Sequence, residues 1–157
     1  MIQNVIYLEQ VYKVTQKSSV NRQDMNAIGV AEPNSAEIIM YGVQRKITDV
    51  SKNRIKRCEY ITPAEDLVFS SLTRSIPLEG MDMYMPWGLS TMAFRYAVLF
   101  GIRKVVVHKQ AMDKRRNKAF YRDINMELAK HNIEFLEYDG EIGCDFEVTV
   151  NGKSFTP

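Results

Sequence analysis

Cysteine and histidine are scarce in this chain. Its 157 residues hold only Cys58, Cys144, His108 and His131 of these two types. Two cysteines make no disulfide framework, and a reducing, cytoplasmic compartment fits them best. None of the four residues shows the spacing of a metal site. Long apolar runs are lacking too. No segment reads as a membrane span, and Met1-Ile2-Gln3-Asn4 does not open a signal peptide. A surplus of one charge is also missing: 21 basic and 19 acidic residues leave a formal +2, too little to argue for nucleic acid by itself. Repeats, linkers and low-complexity stretches are absent.

What is present is the composition of one ordinary folded unit spanning 1–157. Hydrophobic residues make up 45% and charged residues 25%, enough to bury a genuine core. Of nine methionines, four crowd into 81–92. Val5, Leu8, Val11, Tyr12 and Thr15 recur at helical spacing, and Ser18-Ser19 stop that helix. Ala27–Ala31 and Glu37–Gly42 read as strands joined by the turn Glu32-Pro33-Asn34-Ser35, a hairpin. The basic stretch 45–58 reads as a loop. Thr62-Pro63-Ala64-Glu65 opens a helix to about Ser75. Met81–Met85 is a strand, and Ser90 starts a helix that Gly101 ends. The β-branched run Lys104–His108 suits a strand buried on both faces of a parallel sheet. Lys114–His131 reads as one helix with Phe120, Ile124 and Leu128 on its inner stripe. Ile133–Tyr138 and Phe146–Val150 are strands, and Asn151-Gly152 is a hairpin turn. Alternating helices and strands predict a three-layer α/β fold with a largely parallel second half.

Several segments together resemble a known family over most of the chain. Pro63-Ala64-Glu65, then Glu79-Gly80 with Met83-Tyr84, Ser90-Thr91-Met92-Ala93 and Gly101-Ile102-Arg103-Lys104-Val105-Val106 follow the order of the zinc-dependent cytidine and deoxycytidylate (dCMP) deaminases. That family's signature is H-x-E followed by P-C-x-x-C, in which His and two Cys hold zinc and Glu moves protons. The resemblance implies a cytidine deaminase-like fold, a mixed sheet of about five strands flanked by helices. It places Glu65 on the proton-moving Glu and puts Pro63, Ser90 and Ala93 on the three metal positions. It also sets Gln44 where the family carries a sugar-reading Asn, and it implies a homo-oligomer.

The substitutions remove the chemistry. Zinc lowers the pKa of water from about 15.7 to about 7. Without it, hydroxide at neutral pH is rarer by roughly eight orders of magnitude, whereas a positioned general base restores about 10²–10⁴. Pro63 and Ala93 have no donor atom, and a Ser90 hydroxyl is a poor zinc ligand beside thiolate or imidazole. The expectation is therefore a deaminase-like protein with no metal and no cofactor. It would act by binding a pyrimidine nucleotide or other phosphate-bearing ligand, or a protein partner. A metal-free enzyme using the same cavity and a nucleic-acid binder using the basic stretches 45–57 and 103–122 are the alternatives.

Each candidate residue also has a structural reading. Thr62-x-x-Glu65 is a complete capping box with Pro63 at the first helical position, so Glu65 is either a helix cap or an acid/base that faces a ligand. Ser90 is an N-cap or a polar partner in the cavity. Trp87 and Tyr84 line the cavity near a base, or they belong to the core. Lys109, Lys114, Arg115, Arg116 and Lys118 are a solvated run or phosphate contacts. The helix starts at Thr62 and Ser90 present backbone N–H groups of the kind that hold anions.

Overall fold

The computed structural model describes residues 2–18, 27–35, 38, 40–43, 45–46, 61–62, 78–150 and 152–157. Helix α1 (Ile2–Ser18) leads into strands β1 (Ala27–Ala31) and β2 (Met40–Val43), an antiparallel pair in the register Ala27↔Val43 to Val30↔Met40. The turn between them carries Asn34 at φ 61° and a Ser35 N–H to Glu32 carbonyl bond of 3.1 Å. Strand β5 (Asp82–Tyr84) runs antiparallel to β1. Strands β6 (Lys104–His108) and β7 (Glu134–Tyr138) continue from it in parallel. The sheet has five strands in the order β2-β1-β5-β6-β7, mixed as expected.

Side chains alternate across this sheet, and each face has its own cover. Ile28, Val30, Met83, Val105 and Val107 meet Ala93, Ala97, Met112 and Leu128 from helices that follow β5 and β6. Tyr84 and Val106 meet Tyr7, Leu8, Val11 and Tyr12 of α1 on the other face. Val105, Val106 and Val107 are all fully buried, which is why that strand reads as an unbroken apolar run. Each such valine contributes about 1.5–3 kcal/mol. Gly29 permits the close seating of α1, because a Cβ there would lie 2.8 Å from Val11 Cγ2 and 2.6 Å from Ile38 Cδ1.

Two expectations need correction. The stretch 45–58 is not loop throughout: β3 (Arg45–Lys46) pairs antiparallel with β4 (Ile61–Thr62). The rest of it, and the helix expected over 63–75, lie outside the described residues. Residues 114–131 do not form one helix. A short α3 (Lys109–Asp113) ends at Lys114, and α4 (Lys118–Met126) follows, then a 3₁₀ turn Glu127–His131. The break falls where Asn117 adopts the left-handed conformation, φ 54°, which no continuous helix accommodates. That break resets the phase, so Phe120 is 55% exposed while Asn125 and Leu128 are buried. Helix α2 (Thr91–Leu99) starts as expected. Strands β8 (Val148–Val150) and β9 (Lys153–Phe155) form the expected terminal hairpin, with Gly152 at φ 74°, while Asn151 lies outside the described residues. Among the described residues no helix is long and apolar enough to cross a membrane.

Candidate functional site

Ligands in open α/β sheets bind beyond the carboxyl ends of the strands, and here the segment leaving β5 occupies that edge. Met85 N–H still bonds the Val106 carbonyl and Pro86 accepts from His108 N–H, so the chain stays beside β6 until residue 86. Gly88 then turns it, with φ +78° and its N–H on the Met85 carbonyl at 2.9 Å. A Cβ at Gly88 would be strained at that φ and would lie 2.3 Å from Met112 Sδ, which would have to shift. The chain enters α2 through Ser90, extended at φ −71°, ψ 170°, whose Oγ accepts the Ala93 N–H at 3.2 Å.

The two positions that the sequence resemblance sets on the family's cysteines, Ser90 and Ala93, are therefore committed to the helix. Ser90 is its cap, and Ala93 is fully buried in the core below. A hydroxyl that caps its own helix and a buried methyl do not make a zinc donor set. Among the described residues no three His, Cys, Asp or Glu side chains gather as metal ligands. Pro63, Glu65 and Gln44 lie outside the described residues, and Thr62 ends β4 in an extended conformation.

Tyr84 and Trp87 lie on the opposite side of the sheet from Ser90. Strand alternation turns Tyr84 toward α1, where its ring meets Tyr7 at 4.6 Å and its hydroxyl donates to Asn4 Oδ1 at 3.3 Å. Burial, with the Asp82 carboxylate second, raises its phenol pKa. Trp87 is 2% exposed against the edge of Tyr12, centroids 5.4 Å apart. Its Nε1 has no acceptor among the described residues. The structure thus brings Ser90 and Ala93 together and places Tyr84 and Trp87 in a separate aromatic layer.

That layer contains a buried histidine. His108 Nε2 faces the Gly140 carbonyl at 2.8 Å, so it carries the proton, and Nδ1 accepts from the Tyr12 hydroxyl at 2.6 Å. Burial lowers its pKa from 6.5, against the opposing pull of the Gly140 carbonyl and Asp139. Burial likewise raises Tyr12 well above its ordinary value and pushes the Cys144 thiol up to about 11. Both groups are neutral near pH 7, and the chain of hydrogen bonds is structural.

The basic run is largely consumed in the fold. Lys109 pairs with Asp139 at 2.6 Å, and Lys114 lies over the Phe155 ring at 4.9 Å. Arg122 bridges Asp113 and Glu137, and Arg103 grips buried Asp82 through two bonds of 2.8 and 2.6 Å. Arg116 and Lys118 stay exposed. Sequence reasoning missed Asn125 and the local role of Arg115. Arg115 Nη1 donates to the Trp87 and Gly88 carbonyls at 2.7 and 2.9 Å, with its guanidinium 3.5 Å above the Tyr121 ring. Asn125 receives Leu89 N–H at 2.9 Å and donates to the Leu89 and Tyr121 carbonyls. Gly88 ahead of a Ser cap was a readable signal for the turn. Nothing in the sequence marked its two clamps.

No family model and no curated protein matches the chain. Solved structures do. The dCMP deaminase of cyanophage S-TIM5, in its apo form, is 14% identical with a TM-score of 0.60, covering 86% of this chain and 96% of that one. The same enzyme in complex with dCMP and dUMP gives 13% and 0.61, covering 85% and 94%. NE0047 in complex with 2,6-diaminopurine gives 14% and 0.58, covering 87% of this chain and 75% of that one. Identities this low speak for architecture alone, and at these TM-scores and coverages the chain carries the three-layer cytidine deaminase-like fold.

Proposed function

We propose that this chain is a zinc-less member of the deaminase fold that acts by binding a nucleotide or a protein partner rather than by deaminating. One observation supports the reading: Ser90 caps α2 and Ala93 is a buried methyl, the two positions that the sequence resemblance sets on the family's cysteines. Without a metal-bound hydroxide the attack on a base carbon loses its nucleophile. What survives is the setting for a ligand, a helix start at the carboxyl edge of parallel strands, where helix N-termini favour anions. Solved neighbours in this fold hold dCMP, dUMP, 2,6-diaminopurine and 8-azaguanine, which supports a nucleotide or nucleobase as the ligand class. In this reading Thr62, Glu65, Ser90 and Gln44 border the ligand, and Tyr84 and Trp87 stiffen the sheet behind it. The protein works in the cytoplasm as a homo-oligomer.

The test combines three measurements on freshly purified protein. Elemental analysis should find no stoichiometric zinc, and chromatography should find no conversion of dCMP to dUMP. Millimolar dCMP or dUMP should raise the melting temperature, and Glu65→Gln should reduce that rise. About one tightly held zinc per chain, with turnover on the common enzymatic scale of about 1–10³ per second, would overturn the reading. No thermal response to any nucleotide would leave a protein partner as the ligand, to be sought by native mass spectrometry of the assembly.

A further inference from the structure

The three residues that lead into the Ser90 cap are fastened from outside their own segment. Arg115, standing in the break between α3 and α4, spends both Nη1 hydrogens on the Trp87 and Gly88 carbonyls. Its guanidinium is stacked at 3.5 Å on Tyr121, which fixes its direction. Asn125 is fully buried and spends its whole amide: Oδ1 on Leu89 N–H, and Nδ2 on the Leu89 and Tyr121 carbonyls. Met112 of α3 lies against Gly88 so closely that a Cβ there would sit 2.3 Å from its sulfur. Three consecutive residues are thus held by two side chains and one steric stop, all from the segment 112–125. A helix cap needs none of this, because Ser90 Oγ on Ala93 N–H is complete by itself.

We propose that Arg115 and Asn125 are positioning residues that preset residues 87–89, and through them the helix start at Ser90, in a ligand-ready geometry. The ligand consequence rests on the nucleotide-binding reading. Neighbours in the sequence supply only the Gly88 N–H to Met85 carbonyl bond. Positive φ at Gly88 is the most permissive backbone in the segment, and without the clamps a ligand would have to order that segment on arrival.

The test uses Arg115→Ala and Asn125→Leu, the latter filling the vacated space with an apolar side chain, and Lys118→Ala as a control from the same basic run. Trp87 is the only tryptophan, so intrinsic fluorescence reports directly on the clamped segment. Both variants should keep wild-type circular dichroism. The peptide spanning 87–93 should exchange its amide hydrogens at least about tenfold faster, and Trp87 emission should shift to longer wavelength. The dCMP dissociation constant should rise about tenfold, the cost of ordering one released backbone residue at binding. Lys118→Ala should change none of these. If either clamp variant fails to fold, Arg115→Lys, which keeps the charge and loses the planar stack, should show the same three changes at smaller size. Unchanged exchange and emission in folded variants would overturn the proposal. Faster exchange with unaltered dCMP affinity would reduce the clamp to a packing feature and overturn the presetting. If wild-type protein ignores dCMP, the nucleotide reading fails, and exchange and emission decide the clamp by themselves.

Discussion

Gly88→Ala isolates the tight fit at the turn before α2. Two costs add at this site. An L-residue at φ +78° carries about 1–2 kcal/mol relative to glycine. The new methyl also meets Met112 at 2.3 Å from Sδ and 3.0 Å from Cε, with Asn125 Nδ2 at 3.4 Å. Met112 is fully buried, so it can move only by displacing core neighbours, an overpacking cost of about 1–3 kcal/mol. The sum is about 2–5 kcal/mol. For a domain of this size that lowers the melting temperature by roughly 5–20 °C. Two further glycines separate the contributions. Gly80 has φ +76° and nothing within 4 Å of its virtual Cβ, so Gly80→Ala measures the backbone cost alone. Gly29 has clashes at 2.6 and 2.8 Å without a positive φ, so Gly29→Ala measures the steric cost alone. Thermal melts of the three variants should place Gly88→Ala lowest, near the sum of the other two. A Gly88→Ala protein melting within about 2 °C of Gly80→Ala, less than 1 kcal/mol on this scale, would refute the claim that Met112 blocks the site.

Two other outcomes follow from the site and the layer behind it. Because burial holds folded His108 below 6.5, the unfolded chain takes up that proton first on acidification. Its contribution to stability is full above about pH 6.5 and is lost as pH falls from there through the folded value. Denaturant melts should therefore weaken below that pH in the wild type and less steeply in His108→Asn, and parallel curves would reject the assignment. Ser90→Ala removes the oxygen that accepts Ala93 N–H and should cost about 0.5–2 kcal/mol. Ser90→Asp, which restores a capping oxygen, should melt close to wild type. Equal losses in both would show that the hydroxyl has some other role.

Patterns with a short physical range were legible in the sequence. Lys104–His108 reads as a doubly covered strand because β-branched side chains fill both faces, and both are filled. Asn151-Gly152 fixes a hairpin and Ser90 a helix start within a few residues of themselves. The periodicity of 114–131 misled because one left-handed residue, Asn117, shifts the helical phase without altering composition. Arg115 looked like one more exposed charge because its partners are backbone carbonyls 27 and 28 residues away. No side-chain pattern encodes a carbonyl as a partner. Tyr84 and Trp87 had two readings in the sequence, cavity or core; strand alternation directs Tyr84 to the other face, and Trp87 joins it in the layer with Tyr12.

The first helix described rests early on β1, where Gly29 meets Val11, but its aromatic side chains wait for later partners. Tyr7 and Tyr12 of α1 are covered by Tyr84, Trp87, His108 and Phe155. On a ribosome adding about 5–20 residues per second, the interval between Tyr12 and Phe155 is roughly 7–30 s. Throughout it Tyr12 lacks its full cover of rings, although β1 can already seat α1. The aromatic layer around Tyr12 is therefore complete only once the hairpin β8–β9 has been made, because Phe155 closes the ring of side chains there.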